Sequence, residues 1–127
     1  MMRADYQEFF ILLKECLIKY KFEFIVIKET ELTAELLMPS KWVLEFDCEK
    51  YYGPSFTISI CPPKNIRSKS KSYAVWILMK IFEKINGKNY GLPTFDNQIK
   101  FLRGEGDSIF NDPISFEAEY EYFNQNP

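Results

Sequence analysis

The chain has 127 residues, a length typical of one domain, and 46% of them are hydrophobic, which is enough for a core and excludes global disorder. Its formal net charge is −2, and the absence of histidine excludes Ser-His-Asp and Cys-His nucleophile pairs and histidine-ligated metals. The apolar runs are too short to cross a bilayer and no signal peptide is recognisable, so we expect a cytoplasmic protein without membrane contact.

The first elements are a helix and two strands. Residues 5–20 place apolar side chains at three- and four-residue steps, which predicts an amphipathic helix with Asp5 as its N-cap. Residues 22–28, FEFIVIK, are rich in β-branched and aromatic side chains and predict a strand. Residues 31–38 alternate between polar and apolar side chains and also predict a strand, although ELTAELL suits a short helix.

The clearest pattern is an antiparallel hairpin over residues 42–61, WVLEFDCEKYYGPSFTISIC. Both arms alternate with a period of two, and the even-numbered residues are apolar, which is typical of half-buried strands. Gly53 and Pro54 supply the turn between the arms, because glycine tolerates positive φ and proline donates no ladder hydrogen bond. The even-numbered face is therefore expected to form the floor of the core.

The cysteines indicate free thiols. The chain has three, without the C-x-x-C spacing of a zinc site, so we expect no disulfide framework, no metal and no cofactor. The alternation places Cys48 on the inward face of the hairpin and Cys61 on the outward face, which disfavours a bridge between them. Cys16 and Cys48 are expected to be small hydrophobic residues of the core.

Two helices are predicted after the hairpin. Residues 72–86 are apolar around most of the helix circumference, which predicts a deeply buried helix across the inner face of the sheet, ending at Gly87. A short helix capped by Thr94 or Asp96 is predicted to run through Leu102. The segment Gly104-Glu105-Gly106 then predicts a flexible turn.

The last segment, residues 112–123, fits two structures. ISFEAEYEYF alternates perfectly, which suggests a fifth strand. Asp112 followed by Pro113 instead suggests an N-cap and a first helical residue, and we favour this terminal helix. The predicted fold is α+β: one domain over residues 1–127, with a four- to five-stranded antiparallel sheet in meander order and helices packed on one face.

Charge is distributed unevenly along the chain. Residues 64–104 carry nine Lys/Arg and two Asp/Glu, whereas residues 105–127 carry six Asp/Glu and no Lys/Arg. This asymmetry indicates that segments pair within the molecule, or that a polarised surface meets a charged partner. The basic segment 64–71 contains no aromatic residue for base stacking and the domain is acidic overall, so we expect a solvated connector and no nucleic-acid partner.

Three groups of residues are candidate contact sites for a protein partner. The acidic tail would steer the domain toward a cationic partner, or its glutamates would only keep a helix face soluble. Its members are Asp107, Asp112, Glu117, Glu119 and Glu121. Tyr51 and Tyr52 at the hairpin tip would be interface anchors, or would pack against the second helix. Glu45 and Asp47 lie on one face of a strand. We interpret them as solvated carboxylates; the less favoured alternative is an acid–base pair of the kind that glycosidases use.

The order of elements resembles a family of bacterial proteins. A helix, a meander ending in FDCEKYYGPSFTISI, a helix YAVWILMKIFEKI and an acidic, aromatic tail resemble small cytoplasmic immunity proteins of contact-dependent growth-inhibition and other polymorphic toxin systems. The resemblance implies a protein without catalytic residues that binds a cognate toxin domain, often a nuclease, and blocks it. It implies no residue roles, since the resemblance lies in architecture and composition.

Residues and resemblance together predict an inhibitor rather than an enzyme. We expect a monomer or weak dimer that forms a one-to-one complex with its toxin, through the acidic patch and exposed aromatic residues. The alternative is a small adaptor or regulatory domain that binds a host protein or homodimerises through the free edge of its sheet. An enzyme that uses carboxylates and tyrosines would require a deep pocket around a carboxylate pair.

Overall fold

The structure is a computed structural model that defines residues 2–48, 57–63, 72–111 and 114–125. Along these residues one helix is followed by five strands and then by three helices. The elements in chain order are α1 (Ala4–Lys19), β1 (Ile25–Glu29), β2 (Thr33–Leu37), β3 (Val43–Asp47), β4 (Thr57–Cys61), β5 (Tyr73–Ala74), α2 (Val75–Asn86), α3 (Phe95–Asn111) and α4 (Ile114–Gln125).

The strands form one antiparallel sheet in the chain order β1-β2-β3-β4-β5, so the predicted α+β meander is confirmed. The predicted hairpin is the pair β3–β4, whose register runs from Val43 opposite Cys61 to Asp47 opposite Thr57. The segment that also suited a short helix is the strand β2, which pairs with β3 from Thr33 opposite Asp47. The tip of the hairpin lies outside the described residues.

One face of the sheet is the floor of the core, as the alternation predicts. Its members are even-numbered residues of β2, β3 and β4, and each is at most 1% exposed: Ala34, Leu36, Leu44, Phe46, Ile58 and Ile60. The odd-numbered residues on the other face are only half-buried. Cys48 is buried and Cys61 is half-buried on the opposite face, and all three cysteines are free thiols, as predicted.

The helices pack on this buried face. The ring of Phe46 lies 6.0 Å from Phe10 of α1 and 5.5 Å from Phe95 of α3. Contacts between neighbouring helices place them in the order α1-α3-α2-α4, with α2 over β4 and β5. Tyr73 of β5 makes edge-to-face contacts with Phe116 and Tyr120 of α4, at 5.2 and 5.0 Å between ring centroids. The helical layer therefore leaves the opposite sheet face uncovered by any described helix.

The predicted starts of two helices need correction. Helix α1 begins at Ala4 with Arg3 at its N-cap, so Asp5 lies inside the first turn and the Asp5 cap is wrong. Helix α2 begins at Val75 rather than near Ser72, because the residues before it form β5. Tyr73 pairs with Ile60 of β4, which holds its backbone extended while α4 buries its ring. Gly87 ends α2 in the left-handed conformation, as predicted.

Helix α3 is much longer than the sequence predicts. Thr94 caps it, since its Oγ1 accepts the Asn97 N–H at 3.2 Å. The helix then continues through Gly104 and Gly106, so the turn predicted at Gly104-Glu105-Gly106 is wrong. Leu102, Gly106 and Ile109 recur at helical spacing and are buried, so packing on the core overrides the weak helix propensity of glycine.

The final helix is confirmed over the alternative fifth strand, since residues Ile114–Gln125 form α4. The predicted cap at Asp112 and Pro113 lies outside the described residues. Within the described ranges, no helix combines the length and apolar character that a membrane span requires.

Candidate functional site

The uncovered side of the sheet, which we call the open face, carries its side chains in three rows that cross the strands. The apolar row consists of Ile25, Leu37, Val43 and Cys61, each directly opposite the next. The acidic row consists of Lys28, Glu35, Glu45 and Ser59. The hydroxyl row consists of Thr33, Asp47 and Thr57. A β-bulge between Val26 and Lys28 brings Lys28 into the acidic row, because it shifts the register of β1.

The acidic row places two like charges side by side. Glu35 and Glu45 are directly opposite each other in the β2–β3 ladder, an arrangement that destabilises a sheet. Lys28 neutralises one of them, with its Nζ 3.5 Å from Glu35 Oε2. Glu45 has no ion pair or hydrogen bond within the described residues, and its pKa is raised by burial first and then by the charges of Glu35 and Asp47.

The field of this row extends to the apolar row. The pKa of the Cys61 thiol is raised to about 12, first by burial and then by the carboxylates of Glu45 and Glu35. A thiol with such a pKa is protonated at neutral pH and is a poor nucleophile or metal ligand. The carboxylates of the acidic row therefore act on the neighbouring apolar row and keep the Cys61 thiol protonated.

The open face is shallow. One concavity has a volume of about 150 Å³ and is lined by Lys28, Glu35 and Glu45 of the acidic row together with Thr33, Phe46 and Asp47. Another, of about 240 Å³, is lined by residues that include Ile25 and Leu37 of the apolar row. Small-molecule sites in proteins are typically clefts of about 300–1,000 Å³ that enclose most of the ligand. Both concavities of the open face lie below this range.

The structure places the sequence-predicted residues on two different sides. Glu45 and Asp47 lie on the open face, as their alternation predicts. Tyr51, Tyr52 and Asp112 lie outside the described residues.

The acidic tail belongs to the helical side, since Asp107 is on α3 and the glutamates are on α4, which packs against α2. It is also less uniform than expected. Asp107 and Glu119 are exposed and Glu121 is half-buried. Glu117 is only 8% exposed, and its Oε1 accepts a hydrogen bond from the Tyr73 hydroxyl at 3.4 Å. Glu117 therefore joins α4 to β5 and is not part of an exposed acidic patch.

A larger concavity lies on the helical side, between α2 and residues 89–93. Its volume is about 560 Å³, and it is lined by residues that include Trp76, Lys80, Glu83 and Leu92. The Lys80 ammonium lies over the rings of Trp76 and Phe123, 5.4 and 5.9 Å from their centroids. Leu92 is 76% exposed at its rim.

The described residues contain no cluster of three or more histidine, cysteine, aspartate or glutamate side chains with metal-binding geometry. The carboxylates of the open face are spread along a ladder and do not converge on one point.

Sequence reasoning missed Glu35 and Lys28. Glu35 alternates with Ala34 and Leu36, so its outward direction was predictable once β2 was assigned as a strand. Its position opposite Glu45 depends on the β2–β3 register, and the position of Lys28 depends on the bulge in β1. Neither feature has a local sequence signal.

Comparison with known proteins does not extend these observations. No protein-family model, no curated protein and no solved structure matches the chain.

Proposed function

We propose that the protein is an immunity protein, a non-enzymatic inhibitor that binds a cognate toxin domain in the cytoplasm through the open face. The carrying observation is Glu45, a half-buried carboxylate opposite Glu35 that makes no ion pair within the described residues. Such a carboxylate costs stability in the isolated domain, and a cation from a partner would remove that cost.

The apolar row supplies the second part of the interface. Leu37 and Val43 are half-buried, and Ile25 is 62% exposed beside them. A partner that places basic residues on the acidic row would cover these aliphatic side chains at the same time. Apolar contact gives affinity, while opposite charges speed association and select the partner.

The cationic partner fits the resemblance to immunity proteins of polymorphic toxin systems. A nuclease toxin carries a basic groove for its nucleic-acid substrate, because phosphate binding requires Lys and Arg. An acidic sheet face that covers this groove would exclude the substrate without any chemistry of its own. The shallow shape of the open face supports this mode of action over an enzymatic one.

The experiment begins by identifying the product of the adjacent gene and produces its C-terminal domain, the toxin domain that this proposal expects there, with and without the protein. We expect the protein to restore growth of cells that express the toxin domain. The double variant Glu45→Lys/Asp47→Lys should abolish protection and weaken binding at least a hundredfold in calorimetry. The matched control is Asp107→Lys/Glu119→Lys, which makes the same charge change on the helical side. Circular dichroism and the melting temperature verify that both variants fold.

The outcomes separate the two acidic surfaces. Protection lost only in the Glu45/Asp47 variant supports the open face. Protection lost only in the Asp107/Glu119 variant moves the interface to α3 and α4 and contradicts the proposed site. A neighbouring gene product that is harmless to cells, or that the wild-type protein does not bind, contradicts the proposed function itself.

A further inference from the structure

The edge strand β1 is unusually apolar for a strand in water. Ile25, Val26 and Ile27 are 62%, 43% and 48% exposed, three consecutive β-branched residues. β1 is the first strand of the sheet, so β2 occupies one of its hydrogen-bonding sides and no described strand occupies the other. Natural proteins usually protect such an edge with charges, proline, β-bulges or a covering element, since an exposed edge pairs with other chains. β1 has Lys28 and the bulge before it, but its first three residues are exposed and apolar.

The other edge of the sheet is protected, which makes β1 the exception. Strand β5 has only two residues. Its Tyr73 side chain is fully buried against α4, and the N–H of Ala74 donates to the Tyr120 hydroxyl at 2.8 Å. Association through the sheet therefore has one available edge among the described strands.

Helix α1 extends the apolar surface at the β1 edge. The helix runs antiparallel to β1, since the Met2 N–H donates to Glu29 Oε2 at 2.6 Å and the Phe22 N–H donates to the Leu17 carbonyl at 2.9 Å. Two further exposed aliphatic residues belong to it: Ile11, 51% exposed, and Ile18, 65% exposed.

These two residues point away from α3. Phe9 marks the side of α1 that contacts α3, through Phe95 at 6.1 Å. Ile18 is nine residues, or two and a half helical turns, from Phe9, so it lies on the opposite side. Ile11 is two turns from Ile18 and shares that side. Because α3 lies toward the β5 end of the helical layer, the opposite side of α1 is the side of the β1 edge.

The ends of this surface carry opposite charges. Lys21 precedes β1 and Glu31 follows it, five residues before and five residues after Val26. Both are exposed, and neither has an ion-pair partner within the described residues. An antiparallel partner with the same sequence would bring its own Glu31 to Lys21 and its own Lys21 to Glu31. A second copy of this chain is therefore the occupant whose charges match both ends.

We propose that two copies pair through β1 in an antiparallel arrangement about a two-fold axis near Val26. The two five-stranded sheets then form one continuous sheet of ten strands, a size that open twisted sheets reach. Such an interface is isologous, so each contact occurs twice. A two-fold axis perpendicular to the sheet leaves both open faces on the same side. The dimer would present two acidic rows together, whatever partner those rows bind.

The experiment measures the mass of the full-length protein by light scattering and sedimentation over a wide range of concentration. We expect a concentration-dependent dimer for the wild type. Val26→Lys should give a monomer with an unchanged circular dichroism spectrum, because its charge would face the same charge near the axis. A monomer at every concentration overturns the proposal, and so does a dimer that Val26→Lys leaves intact.

Charge reversal tests the antiparallel arrangement with variants that remain soluble and folded. Lys21→Glu and Glu31→Lys should each weaken the homodimer by roughly threefold to tenfold, since each places like charges at both ends. The double variant should recover wild-type affinity. An equimolar mixture of the two single variants should form a heterodimer tighter than either homodimer. Equal affinities in all four cases would overturn this arrangement.

Discussion

The Tyr120 hydroxyl of α4 accepts a hydrogen bond from the backbone N–H of Ala74 at 2.8 Å, joining residues 46 positions apart in the chain. Ala74 is the last residue of β5 and the N-cap of α2. One phenol thus connects the last helix to the edge of the sheet and to the start of the most buried helix. The same side chain packs edge-to-face on Tyr73, which makes this corner the point where α4 is attached.

Removing this hydroxyl should destabilise the fold. Tyr120→Phe keeps the ring contacts and leaves the Ala74 N–H without its partner, at a cost of about 1–3 kcal/mol in the free energy of unfolding. Chemical denaturation measures the change. The control is Glu119→Gln, at an exposed position of the same helix, which should change stability by less than about 0.5 kcal/mol. Equal losses in the two variants would contradict a specific role for the Tyr120 hydroxyl.

The two glycines of α3 should respond differently to alanine. A Cβ at Gly104 would have nothing within 4 Å, so Gly104→Ala should stabilise the protein by about 0.5–1 kcal/mol through helix propensity alone. A Cβ at Gly106 would lie 3.2 Å from Cε2 of Phe110 and push that ring against Trp42, 5.1 Å away.

Gly106→Ala should therefore increase the stability of the protein less than Gly104→Ala does, or decrease it. Melting temperature and denaturant midpoint compare the two variants directly. A gain at Gly106 as large as the gain at Gly104 would show that Phe110 moves without cost.

Glu45 should make the protein less stable as the pH rises. Its pKa in the folded state is raised above the ordinary value of 4.5, so the unfolded chain loses this proton at lower pH than the folded chain. The contribution of the protonated carboxyl to the free energy of unfolding is complete below pH 4.5, and it is lost as the pH rises through the folded-state pKa.

Glu45→Gln should accordingly stabilise the protein at pH 7, by roughly 0.2–1 kcal/mol for removal of one like-charge contact, and have little effect near pH 4. Denaturation of both proteins at several pH values gives the difference. A variant that is less stable than the wild type at pH 7 would show that the carboxylate is favourable in the fold.

The acidic row should also suppress thiol reactivity. With a pKa of about 12, Cys61 should react slowly with iodoacetamide at pH 8.5 although it is half-buried rather than buried. Glu45→Gln should accelerate its alkylation, because the second cause of the raised pKa is the Glu45 charge. Peptide mass mapping measures the rate at Cys61, and the denatured protein gives the reference rate. No acceleration would mean that burial alone protects the thiol.

The sequence was sufficient where local alternation and burial agree. The even-numbered residues of the hairpin, such as Leu44 and Ile60, are apolar in sequence and buried in the structure. The sequence was insufficient where contacts with distant residues determine whether a segment forms a helix or a strand. Packing of Leu102 and Ile109 carries α3 through two glycines, and burial of Tyr73 converts the predicted start of α2 into a strand. Neither effect can be predicted from local helix propensity, because both depend on tertiary packing.

The candidate surface shows the same division. Glu45 and Asp47 were predictable as outward residues of one strand, whereas their neighbour Glu35 required the register between strands. The segment FEFIVIK predicts a strand but not its place in the sheet, because edge and central strands share this composition. The exposure of Ile25 and Ile27 is therefore a property of the topology alone.

The meander order of the sheet has a consequence for how fast the chain folds. Each strand pairs with the one before it, so the sheet closes loops only between neighbouring segments, and such local pairing favours rapid folding. Among the described residues, long-range links join α1 and its C-cap to α3: Phe9 packs on Phe95, and the Tyr20 hydroxyl donates to Asp96 across 76 residues at 3.2 Å. We expect substitutions in the β2–β4 ladder to slow folding, and substitutions at the α1–α3 contact to act mainly by accelerating unfolding.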